Sequence, residues 1–541
     1  MIKQNYAIIA ATFLLAGCQS QDVSVETKPT VEVESEAETS ETAAEIETEE
    51  ASALVEVNET ELPAHNSIHV ALTHNYKSEW SDEHQMFILK AESDNLHILN
   101  EDYDALNAAL KQYNQENYQE VLGIYEEYLD LAKERAEEGV PGEWSILRNV
   151  DVVRSDDAIL SFWNTQTDYL GGAHGGYYSS GASFDPKTGA KLELRDVVTD
   201  YGAFYQMVVD GLKENYEEES FFEGWQEVLD NMFLSEKEDE TDAVEWTMDD
   251  KGITICLNPY VISSWAAGVI EVKIPFKGNE EMFCPEYLSE NRGNIQKLLP
   301  GERYALSMDT NGNGEEDLIS FSFTEDEDTF QNQFQIMKED GDLYSSSNVE
   351  LYGLFSDAYV VETEDGRPYL YVELSRENNC RLLEVFDLGE KFCHAGTCEA
   401  SFYGNPIINT DKFLLYQKVY VLGTYMTYQE YHVGEDGMPV TDDSIFYVPD
   451  LGEDYGFELT STRELPVKMH QDKEGAVKTD EILPAGTVFV LRKTDAETFA
   501  EMELSDGRRC DIILEKDMEN YGYLIDGINE FECFEVLPYA G

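Results

Sequence analysis

Gly171-Gly172-Ala173-His174-Gly175-Gly176-Tyr177-Tyr178, followed by Ser183-Phe184-Asp185-Pro186-Lys187-Thr188-Gly189-Ala190-Lys191-Leu192, carries the most specific structural instruction in this 541-residue chain. Glycines on both sides of His174 allow a tight loop and a close approach of backbone or ligand. The second segment predicts a strand, a turn over Pro186 to Gly189 and a returning strand. Upstream, strands are expected at Ser67–Thr73, Gln85–Lys90, Trp144–Val153 and Ala158–Asn164. Between them, Tyr103, Leu106, Leu110, Tyr113, Val121, Ile124, Tyr128 and Leu131 keep a three-four spacing that predicts one long amphipathic helix over Glu101–Glu138, stopped by Gly139 and Pro141. Downstream, a second helical region over Ala203–Phe233 precedes strands at Gly252–Leu257 and Val269–Ile274. The first half therefore reads as α+β. No charged residue lies between Ile253 and Ile270, yet Asn258-Pro259 and Ser263-Ser264 argue for a buried strand-loop-strand and against a membrane span.

Taken in order, Gly171-Gly172-Ala173-His174-Gly175, Phe184-Asp185 with Thr188-Gly189, Leu257-Asn258-Pro259-Tyr260, Ala266-Ala267-Gly268 and Glu271-Val272-Lys273-Ile274-Pro275 resemble one extracytoplasmic module. It is the module of RsiV-type anti-sigma factors and PdaC-type peptidoglycan deacetylases, and the resemblance spans about residues 65–283. It implies two α+β subdomains, 64–165 and 166–285. In RsiV-type proteins the module binds lysozyme, a cationic protein; in the deacetylases it accompanies a separate catalytic domain. Sigma-factor inhibition needs a cytoplasmic segment and a transmembrane helix, which a lipid-anchored chain would lack, and nothing after Phe283 resembles the deacetylase barrel with its Asp-Asp and histidine ligands. The ligand-binding candidates are Gly172, His174, Tyr177 and Tyr260, and no residue is assigned as catalytic. His174 has no conspicuous nucleophile beside it in sequence.

Near the N-terminus, Lys3, the apolar run Tyr6–Leu15 and the small residues Ala16-Gly17 before Cys18 have the layout of a cleavable export signal. Leu15-Ala16-Gly17-Cys18 resembles a bacterial lipobox, which implies a signal peptide over 1–17 and lipid on Cys18; an ordinary secretory signal is the alternative. Either places the protein outside the cytoplasm, lipid-anchored to the bacterial cell membrane in the first case. Residues 18–63 follow as an acidic tether. Its part from Gln19 to Pro63 has fourteen acidic residues against Lys28, too little apolar surface to fold.

The whole chain has 111 acidic and 36 basic residues, a formal charge of −75. That balance opposes nucleic acid and anionic headgroups and would draw in cationic partners, with a charge that serves only solubility as the alternative. Seven cysteines follow Cys18. Cys393 and Cys398 predict a small disulfide or free buried thiols ahead of a zinc site, because no second pair has zinc-like spacing.

From 300 to 455 short strands separated by polar turns predict an all-β domain, sandwich or propeller, with a hairpin turn at Glu364-Asp365-Gly366-Arg367. Asp309, Asn311, Asn313, Glu315 and Asp317 space oxygen atoms as calcium loops do, with a polar hairpin as the alternative and any calcium structural. Residues 456–541 resemble a bacterial SH3-like β-barrel, on Leu483-Pro484-Ala485-Gly486, Ser505-Asp506-Gly507-Arg508 and Ile525-Asp526-Gly527; Cys510 and Cys533 are candidates to pair within it. Together these features predict a non-catalytic surface protein that binds a lysozyme-like cationic protein or a peptidoglycan fragment. A wall-directed hydrolase or deacetylase using His174, and a structural or adhesive scaffold, are the competing readings.

Overall fold

The computed structural model describes residues 65–138, 144–172, 174–234, 244–289, 293–298, 304–310, 317–326, 331–340, 343–377, 380–389, 392–405, 409–410, 412–451, 456–472, 475–518 and 521–540. The lipobox, the tether, and Asn311, Asn313 and Glu315 lie outside them.

The first half is α+β, as its periodicities predict. Strands β1 (Val70–Ser81), β2 (Met86–Ile98), β3 (Trp144–Ser155), β4 (Leu160–Tyr169) and β5 (Gly176–Phe184) form a sheet in that spatial order. Helix α1 (Asp104–Glu137) connects β2 to a parallel β3, the one arrangement of neighbouring strands that needs a long crossover. Leu106, Leu110, Val121, Tyr125, Ala132 and Ala136 are its buried apolar face; the first three belong to the stripe read from sequence, whereas Leu131 of that stripe is exposed and Tyr125, Ala132 and Ala136 take over the second half of the face.

The predicted helix over 203–233 divides in two, α2 (Tyr201–Asn215) and α3 (Trp225–Leu234), capped at the first N-terminus by the Asp200 carboxylate accepting from the Ala203 N–H. Both pack on a small antiparallel sheet of β6 (Glu245–Met248), β7 (Gly252–Leu257) and β8 (Ile270–Pro275). The long uncharged run is explained here: Ile253, Ile255 and Leu257 are buried in β7, and the loop after it returns at Ile270. No helix among the described residues is long and apolar enough to cross a membrane.

Beyond residue 293 the described residues are mostly β. A four-stranded sheet (residues 304–352) and a five-stranded sheet in the order 393–398, 381–387, 368–375, 354–362, 294–298 share a core of Ile319, Phe321, Phe334 and Ile336 with Ala358, Val360, Leu370 and Val372. The opposite face of the five-stranded sheet, Tyr359, Val361, Tyr371, Leu383 and Val385, packs on Phe413, Leu415 and Tyr431. A sheet covered on both faces has no polar alternation, so Pro368–Ser375 is buried almost throughout. Stacked sheets are the sandwich alternative of the two that the sequence leaves open.

The closed SH3-like barrel expected over 456–541 is not shown. Strands Leu465–His470, Lys478–Leu483, Val488–Thr494, Phe499–Leu504 and Arg509–Ile513 belong to a 10-stranded sheet that also contains Phe413–Tyr420 and Thr424–Val433. Val419, Val421, Leu422 and Tyr425 share a core with Leu459, Phe489, Leu491, Met502 and Ile512, so the C-terminal strands close on upstream strands.

Of the alternatives open for the cysteines, the disulfides fall and free thiols remain, although Cys393 is exposed and Cys398 half-buried where buried thiols are expected. Cys393, Cys398, Cys510 and Cys533 are all free, as are the other described cysteines. Cys393 and Cys398 are the ends of one extended strand, a separation on the order of 16 Å that no disulfide bridges. Cys510 and Cys533 are each fully buried in an apolar core.

Candidate functional site

The glycine-rich loop joins β4 to β5, and Gly171, Gly175 and Gly176 are fixed by what they touch. A Cβ on Gly171, whose φ is +78°, would lie 2.4 Å from the Trp144 indole. One on Gly176 would meet the Asp168 carboxylate at 2.5 Å. The loop is therefore folded onto its own sheet, and His174 projects from it into solvent. The histidine Nδ1 lies 2.8 Å from the Gly175 carbonyl oxygen, which orients the ring as a donor at that nitrogen.

A second loop, 258–269, meets the first. Asn258, 5% exposed, makes a reciprocal pair with Ser179 of β5: the Ser179 N–H donates to the Asn258 Oδ1 at 2.8 Å, and Asn258 Nδ2 donates to the Ser179 carbonyl at 2.8 Å. This amide side chain imitates the next strand of a ladder and satisfies backbone groups that burial would otherwise leave unpaired. Tyr260 then adopts a φ of +70°, with its N–H donating to the Ser263 carbonyl at 2.9 Å. A left-handed tyrosine costs on the order of 1 kcal/mol, a local strain of the kind that concentrates at binding sites.

The two loops join through Trp265. The His174 imidazole stacks on its indole with ring centroids 4.7 Å apart and planes 19° apart, and Tyr260 stacks on it at 6.3 Å and 27°. Tyr260 is 61% exposed, so an open aromatic face terminates the stack. Two of the four nominated residues are thus brought together. Gly172 lies beside them, its carbonyl accepting from the Tyr169 hydroxyl at 3.4 Å, and Tyr177 lies on β5 among Thr165 and Ser179. Trp265 was missed by sequence reasoning. Its signal was a tryptophan in an uncharged loop with no strand or helix period to bury it.

Neighbouring groups fix what chemistry is open. The Cys256 thiol is pushed up to about 12 by burial, with Glu271 and Glu245 adding to the shift, so it is not a thiolate nucleophile at neutral pH. Tyr178 donates to Glu245 at 2.6 Å and its hydroxyl is raised by burial and by that carboxylate. Among the described residues, two clusters of histidine and carboxylate could gather a metal ion, His65 with Asp156 and Asp157, and His470 with Glu501 and Asp511; His174 belongs to neither. The sequence-nominated calcium residues are placed in part. Asp317 is 1% exposed, accepts from the Thr310 N–H at 3.1 Å and lies 3.6 Å from the Lys338 ammonium, while Asp309 stands one residue before Thr310.

Two family profiles match the chain: "Deacetylase PdaC" over residues 96–177 and "Protein of unknown function (DUF3298)" over 198–277. The first ends within β5, and the second contains the Asn258–Gly268 loop, so the aromatic stack draws one ring from the first profile and two from the second. No curated protein matches. Among solved structures, a DUF3298 family member from Bacteroides fragilis is 19% identical, with 41% of this chain and 96% of that chain covered and a TM-score of 0.32. A DUF3298 family protein from Pseudomonas aeruginosa PAO1 is 15% identical over 41% and 98%, with a TM-score of 0.29.

Proposed function

We propose that this chain is a non-catalytic, lipid-anchored surface protein whose first half binds an envelope ligand, with a lysozyme-like cationic protein as the preferred partner. The observation that carries the reading is the His174–Trp265–Tyr260 stack, with its outer ring open to solvent, the loop of Tyr260 and Trp265 pinned to β5 and the loop of His174 packed against Trp144 and Asp168. Tryptophan and tyrosine held in a fixed geometry are the usual anchors of protein interfaces, because little entropy is lost when a partner covers them. An arginine or lysine of a cationic partner would find an aromatic face there. The formal charge of −75 supports the same partner by raising its rate of encounter at low salt. The lipobox-like Leu15–Cys18 supports anchoring by lipid on Cys18, and the acidic residues after it support a tether.

Calorimetric titration of the full chain with a lysozyme tests the proposal. Binding should weaken with added salt, and Trp265→Ala or Tyr260→Ala should each weaken it by about tenfold or more. Undiminished binding in both variants removes the stack from the function. Binding of a soluble peptidoglycan fragment instead, lost in the same variants, would keep the site and change the ligand. Release of products from peptidoglycan, abolished by His174→Ala, would replace the proposal with an enzyme.

A further inference from the structure

The interface between α1 and the first sheet changes character along its length. Asn107, Lys111, Asn114 and Tyr118 follow one line of the helix, at steps of four, three and four, and the next steps on that line reach Val121 and Tyr125. Val121 and Tyr125 are buried with Leu89 and Ala91 of β2, so this part of the interface is closed and apolar. From Asn107 to Tyr118 the line is polar instead. β2 makes the same change on the same face, where Leu89 and Ala91 give way to Asn95 and His97 at the same parity. On β1, Thr73 stands opposite Asn95 and Ala71 opposite His97, which brings Thr73 and Asn75 to that face as well. Two polar surfaces therefore oppose each other, and between them is a cleft of about 640 Å³, the size of an ordinary small-ligand site.

Part of the lining is fixed in advance. Asn114 Nδ2 donates to the Leu96 carbonyl at 2.9 Å and its Oδ1 accepts from the Leu96 N–H at 3.2 Å, which ties the helix to β2. On the sheet side, Asn75 Nδ2 donates to Asn95 Oδ1 at 2.9 Å, and Thr73 Oγ1 lies 2.8 Å from His97 Nε2. Asn107, Gln115 and Tyr118 also line the cleft, and their side chains have no hydrogen-bond partner among the described residues. A ligand thus meets a rigid wall and a set of open amide and phenol groups.

The charge of the cleft is unlike that of the chain. Of 541 residues 111 are acidic, yet no carboxylate is among the described lining residues, and Lys111 is the one ammonium there. Burial holds the His97 imidazole below its ordinary range, against the pull of Asp450, so it is neutral at pH 7. The acidic chain around the cleft repels anions, and its polar lining does not suit a purely apolar ligand. Amides both donate and accept, as sugar hydroxyls do, and Tyr118 and Leu451 add apolar surface for the C–H face of a sugar ring.

We propose that this cleft binds an uncharged saccharide, whose hydroxyls pair with the Asn107 and Gln115 amides and the Tyr118 phenol. The site is independent of the aromatic stack and of the lysozyme reading, and either can fail without the other. Titration calorimetry of the full chain with cellotetraose, maltotetraose and N-acetylated chitotetraose tests it, with tetragalacturonate as the anionic control. A neutral sugar should bind and the control should not. Asn107→Ala and Gln115→Ala remove groups that bond nothing else among the described residues, so both variants should melt with the parent chain, and each should weaken binding by roughly threefold to tenfold. Absence of binding by all the neutral sugars at millimolar concentration, or unchanged affinity in both variants, would overturn the proposal. Equal binding of tetragalacturonate would overturn it by making Lys111 the recognition group. Saccharide binding lost in Trp265→Ala would also overturn it, by moving the sugar to the aromatic stack.

Discussion

At position 258 a single side chain replaces a strand. Asn258 gives Ser179 both an acceptor and a donor at hydrogen-bond distance, and it does so while 5% exposed. Replacing it with leucine keeps the volume and removes both partners, leaving a buried N–H and a buried carbonyl without bonds. The expected cost is about 2–4 kcal/mol in denaturant unfolding. Because Tyr260 and Trp265 follow on the same loop, the variant should also lose ligand affinity under conditions where it remains folded. A variant as stable as the parent would mean that the loop is held by something other than this pair. The sequence marked Asn258-Pro259 as a break in an apolar run and could go no further, since the partner lies 79 positions away. Trp265 escaped for a related reason: its importance comes from two loops meeting, and neither loop has a period that announces the other. Gly181 makes the same point about packing. A Cβ there would fall 1.9 Å from the Trp246 carbonyl oxygen, a close approach of β5 and β6 that no local pattern reveals.

Elements were legible where one physical signal ruled. The extent of α1 and the apolar run of β7 were read to within a few residues, because burial on one face or on both imposes a pattern on the chain itself; the second half of the α1 face, Tyr125, Ala132 and Ala136, was not, since alanine carries little hydrophobic contrast. Strands Gln331–Asp340 and Thr424–Val433 carry no comparable signal, the first being polar along much of its length and the second interleaving tyrosine with polar residues. Pairings between elements were invisible. One of them, between the start of the first sheet and strand Thr424–Val433, has a pH signature. His69 Nε2 lies 2.8 Å from Glu430 Oε2, and the hydrogen bond from His69 holds the Glu430 carboxyl below its usual value of 4.5, with the charges of His69, Lys412 and His432 assisting. A carboxyl whose folded value is depressed contributes stability that is complete above its unfolded value and is lost as pH falls through the folded one. The wild-type unfolding midpoint should therefore decline as the pH drops below about 4.5, and Glu430→Gln should flatten part of that decline. Side-chain exposure of 44% at Glu430 keeps the effect modest through solvent screening. Identical acid profiles for the two proteins would show that this pair does not couple to folding.

At the scale of the whole molecule, resemblance and structure divide the chain differently. Motif spacing sets a boundary at 455/456, between an all-β block and a barrel-like one, because turn signals repeat there and composition changes. The 10-stranded sheet runs across that position, and the strands on either side share one core. The consequence is energetic. A fragment of residues 457–541 would lose Val419, Val421, Leu422 and Tyr425, four side chains each 5% exposed or less in the intact chain, and would uncover the apolar surface they occupy. At roughly 1.5–3 kcal/mol for each buried apolar side chain, the loss is comparable with the entire net stability of a small domain. The fragment should therefore show weak chemical-shift dispersion and dye-accessible apolar surface, whereas in the full chain the same residues should unfold cooperatively. If 457–541 alone melts as sharply and at the same temperature as these residues do within the full chain, the shared core contributes little and the C-terminal strands are a domain in their own right.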